Sequence, residues 1–284
     1  MTDRLPVVFD GHNDTLLRIL RVDDGHTGAF FNGGGHGHLD MPRARQGGFG
    51  GGFFAIFVPA EPEAATPDLD ALVLHATASD DDLPPPLSLP YSQQVALQMV
   101  SLLFRLQEES EGQLKVVQTV PELEECLQTG VIAALLHFEG AEAIDPELRS
   151  LEMFYNAGLR SLGLVWSRPN AFGHGVPFLH PHSPDTGSGL TDAGIRLVRA
   201  CNKLGILVDL AHLNEAGFWD VARTTDAPLV ATHSNAHAVS PATRNLTDRQ
   251  LHAIRESDGM VGVNFGVYFL REDGDRDSDT PMET

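Results

Sequence analysis

The chain has 284 residues, of which 42% are hydrophobic and 20% charged, and its formal net charge is -20. That size and apolar content suit a globular α/β chain with a substantial core, whereas the acidic balance argues against nucleic acid or an anionic membrane surface as a partner. No apolar run approaches the ~20 residues that span a bilayer, and the two cysteines, Cys126 and Cys201, form no CxxC pattern, so free buried thiols are expected.

In chain order, Val7 to Asp10 reads as a short buried strand. The Gly-rich stretch 32–52 reads as a loop and tight turn, and Phe53 to Val58 as a second strand. Residues 59–90 carry Pro, Asp and Ala without period and are expected to form a long excursion or lid. Tyr91 to Glu109 has helical spacing through Val95, Met99, Leu102, Leu103 and Leu106. A helix near Pro121 to Gln128 leads to strand Val131 to Leu136. Helix Glu147 to Asn156 then leads to strand Ser161 to Val165. After a loop at 166–190 comes a helix from Asp192 to Lys203, with Thr191 as its N-cap. Strand Ile206 to Leu210, helix Glu215 to Arg223 and strand Leu229 to Thr232 follow. Thr247 and Gln250 form a capping-box pattern for a helix through Arg255, and Met260 to Phe265 closes the series as a strand. Seven strands alternating with helices are the signature of a parallel α/β architecture. That is one fewer than the eight of a closed (β/α)8 TIM barrel, so the expectation is one barrel domain over 1–284 that stops before its last strand. The first motif begins at Asp10, leaving no room for a signal peptide, and a cytoplasmic location is expected.

Four stretches put a metal-binding side chain where a strand ends. They are Asp10-Gly11-His12-Asn13-Asp14, His137-Phe138-Glu139-Gly140, Val208-Asp209-Leu210-Ala211-His212 and Val230-Ala231-Thr232-His233. Strand ends of a barrel share one mouth, so ligands this far apart in sequence can meet there. His12 and Asp14, two apart on an extended segment, point the same way and can grip one ion. Glu139 ends an apolar strand, where a carboxylate is costly unless paired or metal-bound. Its two oxygens can bridge two ions, and His212 and His233 can each offer an imidazole to the second. His137, two before Glu139, supports the site from beneath or is simply packed. His36 and His38 read as ordinary loop histidines.

The stretches DGHND, HFEGAE, GLTDAGIRLVRACNKLGILVDLAHLNEAGFWDV, ATHSNAHAVSPATRNLTD and GMVGVNF resemble the membrane dipeptidase (renal dipeptidase) family of metallopeptidases over nearly the whole chain. The resemblance implies a (β/α)8 barrel with two zinc ions, or other divalent ions, that cleaves dipeptides, including some with a C-terminal D-residue. It implies His12 and Asp14 on the first zinc, Glu139 as the bridge, and His212 and His233 on the second. Arg244 matches the arginine that holds the substrate carboxylate, a task suited to a guanidinium fork. Two departures stand out. Where several members have a histidine that contacts the tetrahedral intermediate, this chain has Trp166, a wall of the substrate site; His174 on the same loop is the candidate to reach in instead. The family's Gly-Ser-Asp-Phe-Asp-Gly motif, with its proton-transfer Asp, has no match. The expected substrate is a dipeptide or small amide with a free carboxylate, and a homodimer is a further expectation. An amidohydrolase of N-acyl amino acids and a truncated paralogue of little activity are the competing expectations.

Overall fold

The structure, a computed structural model, describes residues 6–34, 37–60 and 83–275. His36, most of the excursion at 59–90 and the end of the acidic tail fall outside the described residues. The strands are β1 (Val8–Asn13), β2 (Phe49–Phe57), β3 (Leu114–Val116), β4 (Ile132–Glu139), β5 (Leu159–Gly163), β6 (Leu207–Asp209), β7 (Val230–Ala231) and β8 (Met260–Val261). The larger helices are α4 (Leu89–Glu109), α5 (Val120–Thr129), α6 (Arg149–Asn156), α7 (Asp192–Leu204), α8 (Glu215–Thr224) and α9 (Asp248–Glu256). Three short ones precede them: α1 (Thr15–Arg21), α2 (Gly28–Asn32) and α3 (Met41–Gln46).

All pairings between these strands are parallel, in the order β1-β2-β4-β5-β6-β7-β8. This is the curved α/β sheet of a TIM-barrel-like fold, with helices between successive strands. An eighth strand, β3, is not legible in the sequence pattern. It is three residues long and shares one edge of β4 with β5: β3 pairs Ile132 to Ala134, and β5 takes over from Leu136. The Gly-rich stretch also departs from expectation. Gly50, Gly51 and Gly52 belong to β2, because β1 and β4 press on it from both sides. A Cβ on Gly51 would lie 2.4 Å from the Ala133 carbonyl oxygen.

The helical spacing along α4 holds, since Val95, Met99, Leu102, Leu103 and Leu106 are all buried in the main core. The expected caps form as well. Thr191 accepts from the Gly194 amide, and Thr247 with Gln250 makes a reciprocal capping box. Cys126 and Cys201 are free and buried. No helix among the described residues is long and apolar enough to cross a membrane.

The ends of the sheet path carry exposed apolar residues: Val7 and Val8 at β1, and Met260, Val263 and Phe265 at β8. The two ends approach each other through glycine. A Cβ on either Gly11 or Gly262 would sit 1.9 Å from the Thr232 carbonyl oxygen. Only a residue without a side chain lets β1 come this close to the end of β7. That approach carries His12 toward His233.

Candidate metal centre

The C-terminal ends of β1, β4, β6 and β7 bring the five expected ligands together. Glu139 is the hub. Its Oε1 lies 2.9 Å from His212 Nε2 and 3.6 Å from His233 Nε2, while its Oε2 lies 3.7 Å from His12 Nε2. His12 Nε2 is in turn 3.5 Å from Asp14 Oδ2. The His12 and His233 rings stack with centroids 4.1 Å apart, and the Nε2 atoms of His212 and His233 are 3.1 Å apart. Ligand atoms of His12, Glu139 and His233 all fall within 4.8 Å of one another.

The electrostatics follow from burial. Burial pushes the imidazoles of His212 and His233 well below the usual histidine value, so both are neutral with a lone pair to donate. Burial raises the Glu139 carboxyl to about 7, against the pull of His12. Burial would lower His12 too, but the Glu139 and Asp14 carboxylates outweigh it and carry it up to about 10. Glu139 and Asp14 thus flank His12 Nε2 with two carboxylates, at 3.7 and 3.5 Å, a place that suits a cation. Nitrogen and oxygen donors at this spacing fit divalent ions such as zinc.

The support beneath is less evident from sequence. His212 Nδ1 is 2.9 Å from Ser167 Oγ, and His233 Nδ1 is 2.8 Å from Thr232 Oγ1. Asp209, not singled out as a site residue in the sequence, is 2% exposed and holds this floor together. Its Oδ1 accepts from the amides of Ala211 and Thr232, and its Oδ2 accepts from Thr232 Oγ1. Like Glu139, Asp209 is an acid ending an apolar strand, costly there unless paired, and that is its mark in the sequence. His137 is fully buried, 2.9 Å from Ser161 Oγ through Nδ1 and 3.7 Å from Asp209 through Nε2. Burial draws it down to about 4. It lies in the floor and is neutral. His212 itself has φ 65°, a left-handed conformation rare for residues with a side chain.

Arg244 is 4% exposed. Its Nη2 donates to the His233 carbonyl and its Nη1 to Ser234 Oγ, while Nε has no hydrogen-bond partner among the described residues. Burial lowers the guanidinium to about 10, so it stays charged at neutral pH. Trp166 is buried, with its ring 5.9 Å from that of His212 and close to Phe57 and Phe178. His174 is half-buried on the same loop and makes no hydrogen bond to the cluster among the described residues. A cavity of about 530 Å³ opens beside His12, Asp14 and His233; Arg18, His38 and Phe265 also line it. His38 therefore stands nearer the site than a plain loop residue would.

An imidazole and carboxylate cluster at the C-terminal rim of a parallel barrel sheet defines a metal-dependent hydrolase. The family model described as membrane dipeptidase (peptidase family M19) matches residues 2–283. Two solved structures superpose with a TM-score of 0.91. Dipeptidase AC, a metallo peptidase of family M19, is 52% identical over 98% of this chain and 78% of its own. A metallo peptidase from Rhodobacter sphaeroides, liganded with a phosphinate mimic of the dipeptide L-Ala-D-Ala, is 54% identical over 99% of this chain and 80% of its own. An uncharacterized protein in the PQQ-III 3' region of Acinetobacter calcoaceticus is 42% identical over 277 residues, 97% of this chain and 85% of that protein. The chain belongs to peptidase family M19, the membrane dipeptidase family, and is a metallo dipeptidase by class.

Proposed function

We propose that the chain is a dinuclear zinc dipeptidase. The observation that carries this reading is the posture of Glu139. Its two oxygens face two different imidazole sets, His12 on one side and His212 with His233 on the other. A carboxylate so placed can bridge two ions, with His12 and Asp14 completing one shell and His212 and His233 the other. A bound zinc pair supplies Lewis acidity and makes a water-derived nucleophile available near neutral pH.

The chain's own residues do the rest. Arg244 offers its unpaired Nε–H and a remaining Nη2–H as a fork for the substrate's terminal carboxylate. Trp166 and Phe178 wall the site against water next to His212. Contact of His174 with the tetrahedral state is a further part of the proposal, tested by His174→Asn, which should lower kcat more than it raises KM. The phosphinate mimic of L-Ala-D-Ala held by the Rhodobacter relative supports dipeptides with a C-terminal D-residue as substrates.

The test is metal analysis of zinc-loaded protein with hydrolysis of matched L,L dipeptides, L,D dipeptides and N-acyl amino acids. Two ions per chain and preferred cleavage of dipeptides support the proposal. A preference for N-acyl amino acids would replace it with the amidohydrolase reading, and one ion per chain would remove the bridge.

A further inference from the structure

Two hydroxyls back the paired imidazoles, and they differ in one respect. A hydroxyl can either donate to an imidazole nitrogen or accept from its N–H. Among the described residues the Ser167 hydroxyl meets only His212 and can turn either way. The Thr232 hydroxyl cannot, because its oxygen is also 2.7 Å from Asp209 Oδ2. Asp209 is buried, and its other oxygen is already taken by two backbone amides. A carboxylate only accepts, so the single Thr232 proton goes to Asp209. His233 Nδ1, 2.8 Å from the same hydroxyl, must then be the donor. That leaves the proton off Nε2, the nitrogen facing Glu139 and His212.

We propose that Asp209 is a positioning residue that fixes the ring tautomer of His233 through the Thr232 hydroxyl, so that Nε2 is ready for a divalent cation, whereas Ser167 imposes no tautomer on His212. The inference rests on the reading of His212 and His233 as ligands. It differs from the common arrangement in which a carboxylate binds the ligand histidine directly. Here the carboxylate acts one hydroxyl away, and it also anchors the turn into His212 through the Ala211 amide.

Asp209→Asn is the informative substitution, being nearly isosteric. The Asn amide would donate to Thr232 Oγ1, the hydroxyl would turn to donate to His233 Nδ1, and the ring proton would move to Nε2. Nitrogen-15 spectra of metal-free protein with labelled histidine, with His233 assigned by its loss in His233→Asn, read the tautomer directly. The expected result is Nδ1–H in the parent and Nε2–H in Asp209→Asn. Competition against a chromophoric chelator with zinc alone should show one of the two ions bound about 10- to 100-fold more weakly, the usual range for a supporting partner. Thr232→Val should weaken the same ion and Thr232→Ser should restore it. That pair decides the matter if Asp209→Asn does not fold. An unchanged tautomer in Asp209→Asn, or parental zinc affinity in Thr232→Val, overturns the proposal. A parent protein that binds no zinc would instead refute the ligand assignment, and the metal-free spectra would still decide the relay.

Discussion

His212 and His233 are enclosed, about 5 to 7% exposed, and each has a hydroxyl behind its ring; Asp14 is exposed, and His12 Nδ1 has no hydrogen-bond partner among the described residues. The two halves of the centre are thus held in different ways. The enclosed half is fixed by hydrogen bonds that reach down to Asp209. The open half is fixed by where β1 lies, which depends on the glycine contacts at Thr232, and both its residues line the cavity, which reaches His233 but not His212 of the enclosed half. The contrast separates two requirements of such a site. One half is preorganised by hydrogen bonds, and the other leaves a way in.

The largest expected effect abolishes the contrast. Glu139→Ala removes the group both halves share, so elemental analysis should find most of both ions gone. Activity should fall by more than the ~100-fold upper range for a supporting residue. Retention of both ions would end the bridging role.

Arg244→Ala tests the enclosed half. Truncating one member of a buried charge pair costs about 2–5 kcal/mol, so kcat/KM for dipeptides should drop by at least ~30-fold. Dipeptide amides, which lack the carboxylate, should be affected far less. An equal loss for both would assign Arg244 to holding the His233 carbonyl alone.

The open half should be the easier to empty. Stepwise chelation should release one ion first, and Asp14→Asn should speed that release by at least ~10-fold, since a direct ligand should matter no less than a supporting partner, with the second ion retained. Simultaneous loss of both ions would show that the halves do not differ.

The smallest effect concerns the rim of the enclosed half. Glu142 is buried against Gly140, beside Arg168 and Asn170. Burial raises it from 4.5 to about 7, with Arg168 opposing. The folded protein therefore holds more protons than the unfolded chain between those values, and stability falls as pH rises through that window. Glu142→Gln should flatten the slope of Tm against pH there, by a few degrees across the window. An unchanged slope would mean that Glu142 does not titrate in this range.

Much of this architecture is written locally. The period of apolar residues along Leu89–Glu109 set its buried face, and the Thr191 and Thr247 caps are short-range hydrogen bonds between near neighbours. The candidate ligand types were legible because His, Asp and Glu at the ends of apolar strands are costly without a partner. Other features had no such local mark. The three-residue β3 is too short to show a period, and β2 begins in glycines that read as a turn.

By itself the sequence determined the alternation of strands and helices and which strand ends carry metal-binding side chains, since both depend on residue type and spacing within one element. Only the tertiary structure decided which of those side chains meet and what stands behind them. Thr232 and Ser167 are ordinary residues in isolation. Ser167 becomes the partner of His212 through loop placement; Thr232, next to His233 in the chain, is tied to Asp209 on the paired strand, and β1 comes against Thr232 because Gly11 and Gly262 have no side chain to hold it away. Contacts between residues far apart in sequence depend on the packed backbone, and no local pattern encodes that.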